Sequence, residues 1–143
     1  MRSSDVLLLD THAWLWWVQA DSRMGRDRSL QKAIDRCAGL GTLWLSAFSV
    51  WEIAMLDAKS RINLGRDCHA WVNEALTASR VHLAPLEPTI SIASTRLDGF
   101  PNADPADRII AATAIQNGWT LVTADKHLVG YFKKRKMPVW GIE

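Results

Sequence analysis

Five short apolar runs alternate along this chain with longer segments whose apolar residues recur at helical spacing. The runs are VLLL, TLWLS, VHLAPL, TLVTA and PVWGI. Strands that alternate with helices are typical of a parallel sheet, because a parallel pair needs a crossover connection that is usually a helix. The alternation therefore predicts an α/β fold: a parallel sheet of about five strands flanked by helices, in three layers α/β/α.

The predicted strands cover residues 5–10, 42–46, 81–86, 120–124 and 138–142. Predicted helices cover residues 11–19, 29–38, 47–59, 67–79, 89–97 and 126–132, and another begins at Asp104-Pro105 and ends at Gly118. An Asp as N-cap followed by Pro at the first helical position is a strong helix start. Ser46 is expected to cap the helix of residues 47–59. Residues 20–27 are expected to be a loop, and Gly39 and Gly41 are expected to end the second helix.

Length and composition predict a single domain over residues 1–143. The chain is 48% hydrophobic and 22% charged, which is ordinary for a soluble globular protein that needs no disulfide. Cys37 and Cys68 lack metal-binding spacing, so two reduced thiols in a cytoplasmic protein are expected. No apolar stretch approaches 18 residues and no export signal is evident, so neither membrane insertion nor export is expected.

Four acidic residues stand out because each lies where this fold would bring it to one edge of the sheet. Asp10 ends the run VLLLD, and Asp125 follows the run TLVTA. Glu52 interrupts the apolar segment AFSVWEIAML, and Asp107 opens the helix DRIIAATAIQNG. Ligands of open parallel sheets bind beyond the carboxyl ends of the strands. The four side chains are therefore expected to meet there.

Each acid also has a structural explanation when it is taken alone. Asp10 and Asp125 could cap the helices that follow them, and Asp107 could interact with the macrodipole in the first turn of its helix. Glu52 could pair with an arginine, since an unpaired charge on an apolar helix is costly to bury. Taken together, four carboxylates at one site would repel one another unless a cation held them, and Mg²⁺ or Mn²⁺ suits oxygen-only ligands.

The segments LLLDTHAWLW, LSAFSVWEIAML, DPADRIIAATA and TLVTAD resemble the signature blocks of the PIN-domain ribonucleases. More narrowly, they are similar to the toxin half of VapBC-type toxin–antitoxin pairs. The resemblance covers nearly the whole chain, in order and with the family's spacing. It implies an Mg²⁺-dependent endoribonuclease, with Mn²⁺ as a substitute, that hydrolyses RNA to leave a 3′-hydroxyl. It also implies a VapB-like antitoxin partner and a homodimer.

Residue by residue, the resemblance makes the catalytic residues and metal ligands Asp10, Glu52, Asp107 and Asp125. Asp104 is expected to cap its helix beside the site. Thr11 and Thr123 are candidates to hydrogen-bond a carboxylate or a bound water. Where many relatives carry a His-Arg pair, this chain has FPNAD, which puts any substrate contact by that loop in doubt.

Several other residues leave two interpretations open. His12 could be a general base, but it has no Asp or Ser partner nearby in sequence, which favours a structural role. Arg108 could neutralise a site carboxylate, touch phosphate or form a structural ion pair. The basic run of residues 133–136 could be a solvated face or an RNA contact. Trp14, Trp16 and Trp17 could be core, or a surface that binds a partner.

Two functions other than a ribonuclease are consistent with an α/β fold of this kind. A signalling receiver domain has the same sheet but needs an acidic pair after strand one and an acceptor Asp after strand three. This chain has Asp-Thr-His and Ala-Pro-Leu at those places, so the receiver pattern fails. A catalytically silent PIN domain that serves as a protein-binding scaffold is the other alternative, and the presence of all four acids argues against it.

Overall fold

A computed structural model describes residues 5–143 of the chain. Its strands are β1 (Leu7–Leu9), β2 (Leu43–Ser46), β3 (His82–Ala84), β4 (Thr120–Thr123) and β5 (Val139–Gly141). The helices of the described residues are α1 (Thr11–Val18), α2 (Ser22–Gly25), α3 (Arg28–Leu40), α4 (Ala47–Ala58), α5 (Cys68–Ser79), α6 (Pro88–Ser94), α7 (Pro105–Asn117) and α8 (Lys126–Lys134).

The five strands form one parallel sheet in the order β3-β2-β1-β4-β5. β1 lies at the centre, with Leu7 opposite Leu43 of β2 and Thr120 of β4. The chain starts at the centre, moves to one edge through β2 and β3, and then returns to the other side through β4 and β5. The strand order reverses at β1 and β4, and their carboxyl ends therefore lie side by side at the switch point.

Both faces of the sheet are covered by helices. Leu7 and Leu9 pack on one face with buried residues of α1, α3 and α5. Leu8 faces the opposite side and packs with buried residues of α7 and α8. Alternate residues of a strand point to opposite faces, and a strand with three buried leucines is typical of a sheet that is covered on both sides. The predicted three-layer α/β/α architecture is therefore confirmed.

The predicted strands and helices are present in the structure, and two details of the prediction need correction. The residues predicted as a loop contain α2, because the side chain of Asp21 accepts a hydrogen bond from the backbone N–H of Arg23 and starts a short helix. Helix α3 runs through Gly39 and ends at Gly41. Gly41 has φ +76°, where glycine alone is unstrained, and its N–H donates to the carbonyl of Cys37. Gly39 makes no such turn.

The tryptophans of α1 do not form an exposed patch. Trp14 is fully buried, packs edge-to-face against Trp71 at 5.4 Å between ring centroids, and donates from Nε1 to Ser79 Oγ at 3.0 Å. Trp16 and Trp17 are half-buried against the same core. The core interpretation is therefore correct for Trp14. Trp51 of α4 is instead the highly exposed tryptophan, at 56%.

No helix in the described part of the chain has both the length and the apolar character needed to cross a membrane.

Candidate active site

The switch point of the sheet carries two of the predicted site residues. Asp10 directly follows β1, and its backbone N–H donates to the carbonyl of Val122 in β4 at 3.0 Å. Asp125 lies two residues beyond the end of β4. The pairing of β1 with β4 thus brings together two acids that are 115 positions apart in the chain.

The other two predicted acids reach the same place from helices. Glu52 lies in the middle of α4, and Asp107 lies in the first turn of α7. All four acids line one cavity of about 370 Å³, together with Asp104. The remaining lining residues are Thr11, His12, Trp16, Ile110 and Ala124. The convergence expected from the sequence is therefore present, and the binding of a metal by these acids stays a prediction.

Asp10 is held by two hydrogen bonds that use different oxygens. Oδ1 accepts from the backbone N–H of Ala13 at 2.8 Å and so caps α1, while Oδ2 accepts from the hydroxyl of Thr123. Burial raises the pKa of Asp10 from 3.8 to about 6, although both hydrogen bonds lower it. The capping role and a role in the site are therefore compatible.

Asp107 is oriented by the loop that precedes its helix. Its Oδ2 accepts from Asn102 Nδ2 at 3.1 Å, and the Oδ1 of Asn102 accepts from the N–H of Asp104 at 2.8 Å. Burial, with the nearby charge of Asp104, raises the pKa of Asp107 to about 6. Asp104 caps α7 as predicted, with Oδ1 accepting from Ala106 N–H at 2.9 Å.

Asp125 and Glu52 complete the set. Asp125 caps α8 through Oδ1, which accepts from the N–H groups of His127 at 2.8 Å and Leu128 at 3.3 Å. Glu52 is half-buried. Its negative charge contributes to the raised pKa values of Asp10 and Asp107. Among residues 5–143 no Lys or Arg forms a salt bridge with any of the four acids, so the arginine partner considered for Glu52 is not found.

The carboxylates of the cavity have the chemistry that a hard divalent cation prefers. All of the carboxylates in the cavity are oxygen donors, as Mg²⁺ requires. Among the described residues, no group of three or more Asp, Glu, His or Cys side chains is arranged closely enough to hold a metal ion. Burial is the main cause of the raised pKa values of Asp10 and Asp107, and neighbouring carboxylates add to it. A bound cation would favour the charged carboxylates and so lower both pKa values.

Three helix N-termini point into this region. Asp10, Asp125 and Asp104 are the N-caps of α1, α8 and α7, and Asp107 lies in the first turn of α7. The partial positive charge of a helix N-terminus stabilises nearby anions. The backbone therefore offsets part of the repulsion among the carboxylates.

The structure decides several roles that the sequence left open. Thr123 binds a site carboxylate, whereas the hydroxyl of Thr11 donates to Ser49 Oγ at 2.9 Å. Arg108 donates to the backbone carbonyls of Asn102 and Ser94 and lies 5.2 Å from the ring centre of Phe100, which is a structural role. His12 is exposed on the wall of the cavity, beside the ring of Trp16.

Sequence reasoning missed two residues of the site. Asn102 links Asp104 and Asp107, and the signal for it was an Asn two residues before Asp-Pro, which is typical of an Asx turn. Trp16 also lines the cavity, and the guanidinium of Arg23 lies 4.2 Å from its ring centre, whereas the sequence does not distinguish it from the other tryptophans of α1.

Residues 7–133 of this chain match the PIN domain family. The chain belongs to the PIN-domain family. That match confirms the resemblance to PIN domains that the sequence blocks indicated.

Two kinds of relative agree with the assignment. This PIN-domain chain is 33% identical to Ribonuclease VapC22 of Mycobacterium tuberculosis over 134 residues, which cover 94% of this chain and 98% of that relative. The fold is similar to VapBC2 from Rickettsia felis bound to a promoter DNA fragment, with a TM-score of 0.67, 15% identity, and coverage of 96% of this chain and 99% of that one. It is also similar to DNA-bound VapBC from Salmonella typhimurium, with a TM-score of 0.66, 12% identity, and coverage of 96% and 98%.

Proposed function

We propose that this PIN-domain protein is a metal-dependent endoribonuclease and the toxin of a toxin–antitoxin pair. The observation that carries the proposal is the convergence of four carboxylates from four separate elements in one cavity. Its similarity to Ribonuclease VapC22 over nearly its whole length supports RNA as the substrate. Among the described residues, the acids also lack a cationic side-chain partner that would explain them as structural ion pairs.

Asp10, Glu52, Asp107 and Asp125 would hold Mg²⁺, with Mn²⁺ as a substitute. The bound metal would supply Lewis-acid activation of the phosphodiester and of the attacking water. The protein contributes the placement of the acids. Thr123 fixes one oxygen of Asp10, and Asn102 fixes one oxygen of Asp107, so each carboxylate keeps a defined orientation.

The protein's own dipoles act on the substrate as well. The N-termini of α1, α7 and α8 face the carboxylate region and favour negative charge there. They would attract a phosphodiester that the carboxylates repel. Trp16 and His12 form a less polar wall on the same cavity.

The proposed partners are a VapB-like antitoxin and a second copy of this chain, in the cytoplasm. The similar solved structures from Rickettsia felis and Salmonella typhimurium are VapBC complexes, which supports an antitoxin partner. Expression of the chain alone is expected to arrest growth, and co-expression of the antitoxin is expected to relieve the arrest. Normal growth with verified expression of the intact protein would favour the scaffold alternative.

The enzymatic proposal is tested by incubating purified protein with total cellular RNA. Cleavage is expected with Mg²⁺ or Mn²⁺ and is expected to stop with excess EDTA. Restoring Mg²⁺ in excess over the chelator is the control, and it should restore cleavage. Equal cleavage with and without chelator would overturn the metal mechanism, and no cleavage together with no Mn²⁺ binding would indicate a silent scaffold.

A further inference from the structure

We propose that a groove beside the candidate active site, lined by Lys126 and Lys133, holds the RNA strand that flanks the scissile phosphate. This inference rests on the proposed function and names how its substrate is positioned. It assigns a role to one residue of the basic run and adds a lysine outside it. The groove is called the lysine groove below and comprises Ala124, Lys126, Val129, Lys133, Gly141, Ile142 and Glu143.

The lysine groove lies next to the acidic cavity. Ala124 lines both the acidic cavity and the lysine groove. Of the next two residues, Asp125 lines the acidic cavity and Lys126 lines the lysine groove. The change from acidic to basic lining therefore occurs between two successive residues at the start of α8. A strand whose reacting phosphate lies at Asp125 can continue past Ala124 into the lysine groove, which has a volume of about 450 Å³.

The two lysines lie on one face of α8. They are seven residues apart, so they are two helical turns apart, about 10.5 Å along the axis, with Val129 between them. Both are exposed, and among residues 5–143 neither forms a salt bridge. Glu143 also lines the groove, so acidic charge is present there beside the two lysine ammonium groups. The lining combines basic and apolar side chains.

The chemistry of that lining fits single-stranded RNA. A positively charged groove that tracks the backbone is the usual device of proteins that bind single strands, and its lysines contact phosphates without reading sequence. The acidic cavity repels RNA until a cation is bound. A basic path next to it would hold the strand in place while the reacting phosphate enters the carboxylate region.

The rest of the basic run does not line the groove. Arg135 donates to the carbonyl of Asp98, in the loop before α7. Its guanidinium lies 4.1 Å from the ring centre of Tyr131 in α8. Lys134 and Lys136 are exposed outside the groove lining. The run thus separates into one groove residue, Lys133, and neighbours of equal charge that serve as controls.

The experiment measures RNA binding without cleavage. The Asp10→Asn protein with Mg²⁺ is titrated against a fluorescent single-stranded oligoribonucleotide of about 15 nucleotides, by anisotropy, at several salt concentrations. The test variant adds Lys126→Ala and Lys133→Ala. The matched control adds Lys134→Ala and Lys136→Gly, which removes the same charge; glycine keeps the φ of +57° found at Lys136.

We expect the groove variant to bind RNA on the order of tenfold more weakly near 0.1 M salt, with the salt slope reduced by about 1.4, since each phosphate contact on a single strand contributes about 0.7. The control is expected to change the slope much less. Thermal melts check that both variants fold, and Lys133→Ala against Lys134→Ala repeats the comparison with single substitutions.

Equal losses of affinity and slope in the groove and control variants would overturn the lysine groove and indicate a diffuse charge effect. The same conclusion follows if Asp10→Asn itself binds RNA with no salt dependence. Failure of the proposed function is seen separately, as the absence of RNA cleavage by the wild-type protein with Mg²⁺.

Discussion

At the residue scale, Asp10 combines two roles that the sequence presents as alternatives. One oxygen caps α1 and the other accepts from Thr123, while the whole group lies among other carboxylates that have no cationic side-chain partner in residues 5–143. Burial, together with the charges of neighbouring carboxylates, raises the pKa of Asp10 and of Asp107 to about 6, so holding both groups ionised costs free energy. A site built in this way exchanges stability of the metal-free protein for affinity toward a cation.

Replacing Asp10 by Asn is expected to abolish RNA cleavage and to leave the metal-free protein as stable as the wild type or slightly more stable. Asn can still cap α1 through its amide oxygen, and its amide nitrogen can donate to the hydroxyl of Thr123, while one repelling charge is removed. Cleavage assays and thermal melts in EDTA measure the two effects. Asp10→Ala is the control, because it also removes the cap and is expected to lose about 0.5–2 kcal/mol. A sharp loss of stability in Asp10→Asn would contradict the electrostatic account.

The metal-free protein is expected to become less stable as the pH rises from about 4 to about 6. Asp10 and Asp107 have pKa values of about 6 in the folded protein against 3.8 ordinarily, so the folded state binds more protons than the unfolded state in this window. Stability therefore falls with rising pH and levels off above pH 6. Chemical denaturation in EDTA should show a loss of about 1–3 kcal/mol between pH 5 and pH 7.

Asp10→Asn provides the control for that pH dependence, because it should remove part of the loss and leave the part due to Asp107. Asp21 does not contribute in this window, since its hydrogen bonds with Arg23 lower its pKa to about 2. A flat or rising stability between pH 5 and pH 7 in EDTA would show that the two carboxyls are not raised in pKa.

At the element scale, the helices that carry the acids are held by packing against the sheet. α1 is anchored by Trp14, which is fully buried against Trp71 of α5 and donates to Ser79 at its end. α4 packs on α7, and Ile53 is fully buried one residue after Glu52. The position of each acid therefore depends on apolar contacts on the same helix.

Trp14→Ala is expected to destabilise the protein by about 3–5 kcal/mol, because it leaves a large cavity and removes the hydrogen bond that Trp14 Nε1 donates to Ser79 Oγ. Leu40→Ala is the control: Leu40 is 67% exposed and lies outside α4 and α6, so its loss is expected to cost less than about 1 kcal/mol. Urea denaturation measures both. Similar losses in the two variants would contradict the burial assigned to Trp14.

At the scale of the whole molecule, the chain leaves apolar side chains exposed away from α1. Trp51 of α4 and Ile92 of α6 are both more than half exposed, and both helices pack on α7. Nearby, Phe48 packs against the buried cluster of Ile90, Ile109 and Ala112. The surface expected to bind a partner therefore lies on α4 and α6 rather than on the tryptophans of α1.

A homodimer formed through this surface is expected at micromolar concentration. A two-fold interface would cover the same patch on both copies, and Trp51 is the large aromatic residue that such an interface would bury. Light scattering should give twice the monomer mass, and Trp51→Glu should shift the mass toward the monomer. A monomer mass for the wild type would remove the dimer proposal and would leave the nuclease proposal intact, since all four acids come from one chain.

The local signals in this sequence determined the elements of the fold. Short apolar runs gave the five strands, and capping residues such as Ser46 and the pair Asp104-Pro105 marked where helices begin. These signals act over a few residues, so they can be read from the chain itself. The convergence of the four acids could also be predicted, because parallel strands place their carboxyl ends at one edge of the sheet and the family resemblance supported that grouping.

Only the tertiary structure decided what each side chain contacts. The helical periodicity of α1 does not show that Trp14 is buried while Trp16 lines the cavity. Burial depends on α5, which is far away in the sequence, and on the neighbouring strands. Lys133 and Lys134 are identical in the sequence, and the rotation of α8 against the sheet alone separates them. The raised pKa values of Asp10 and Asp107 likewise arise from groups far away in the chain. Sequence fixes local conformation through short-range forces, whereas burial, charge and access are set by packing between elements.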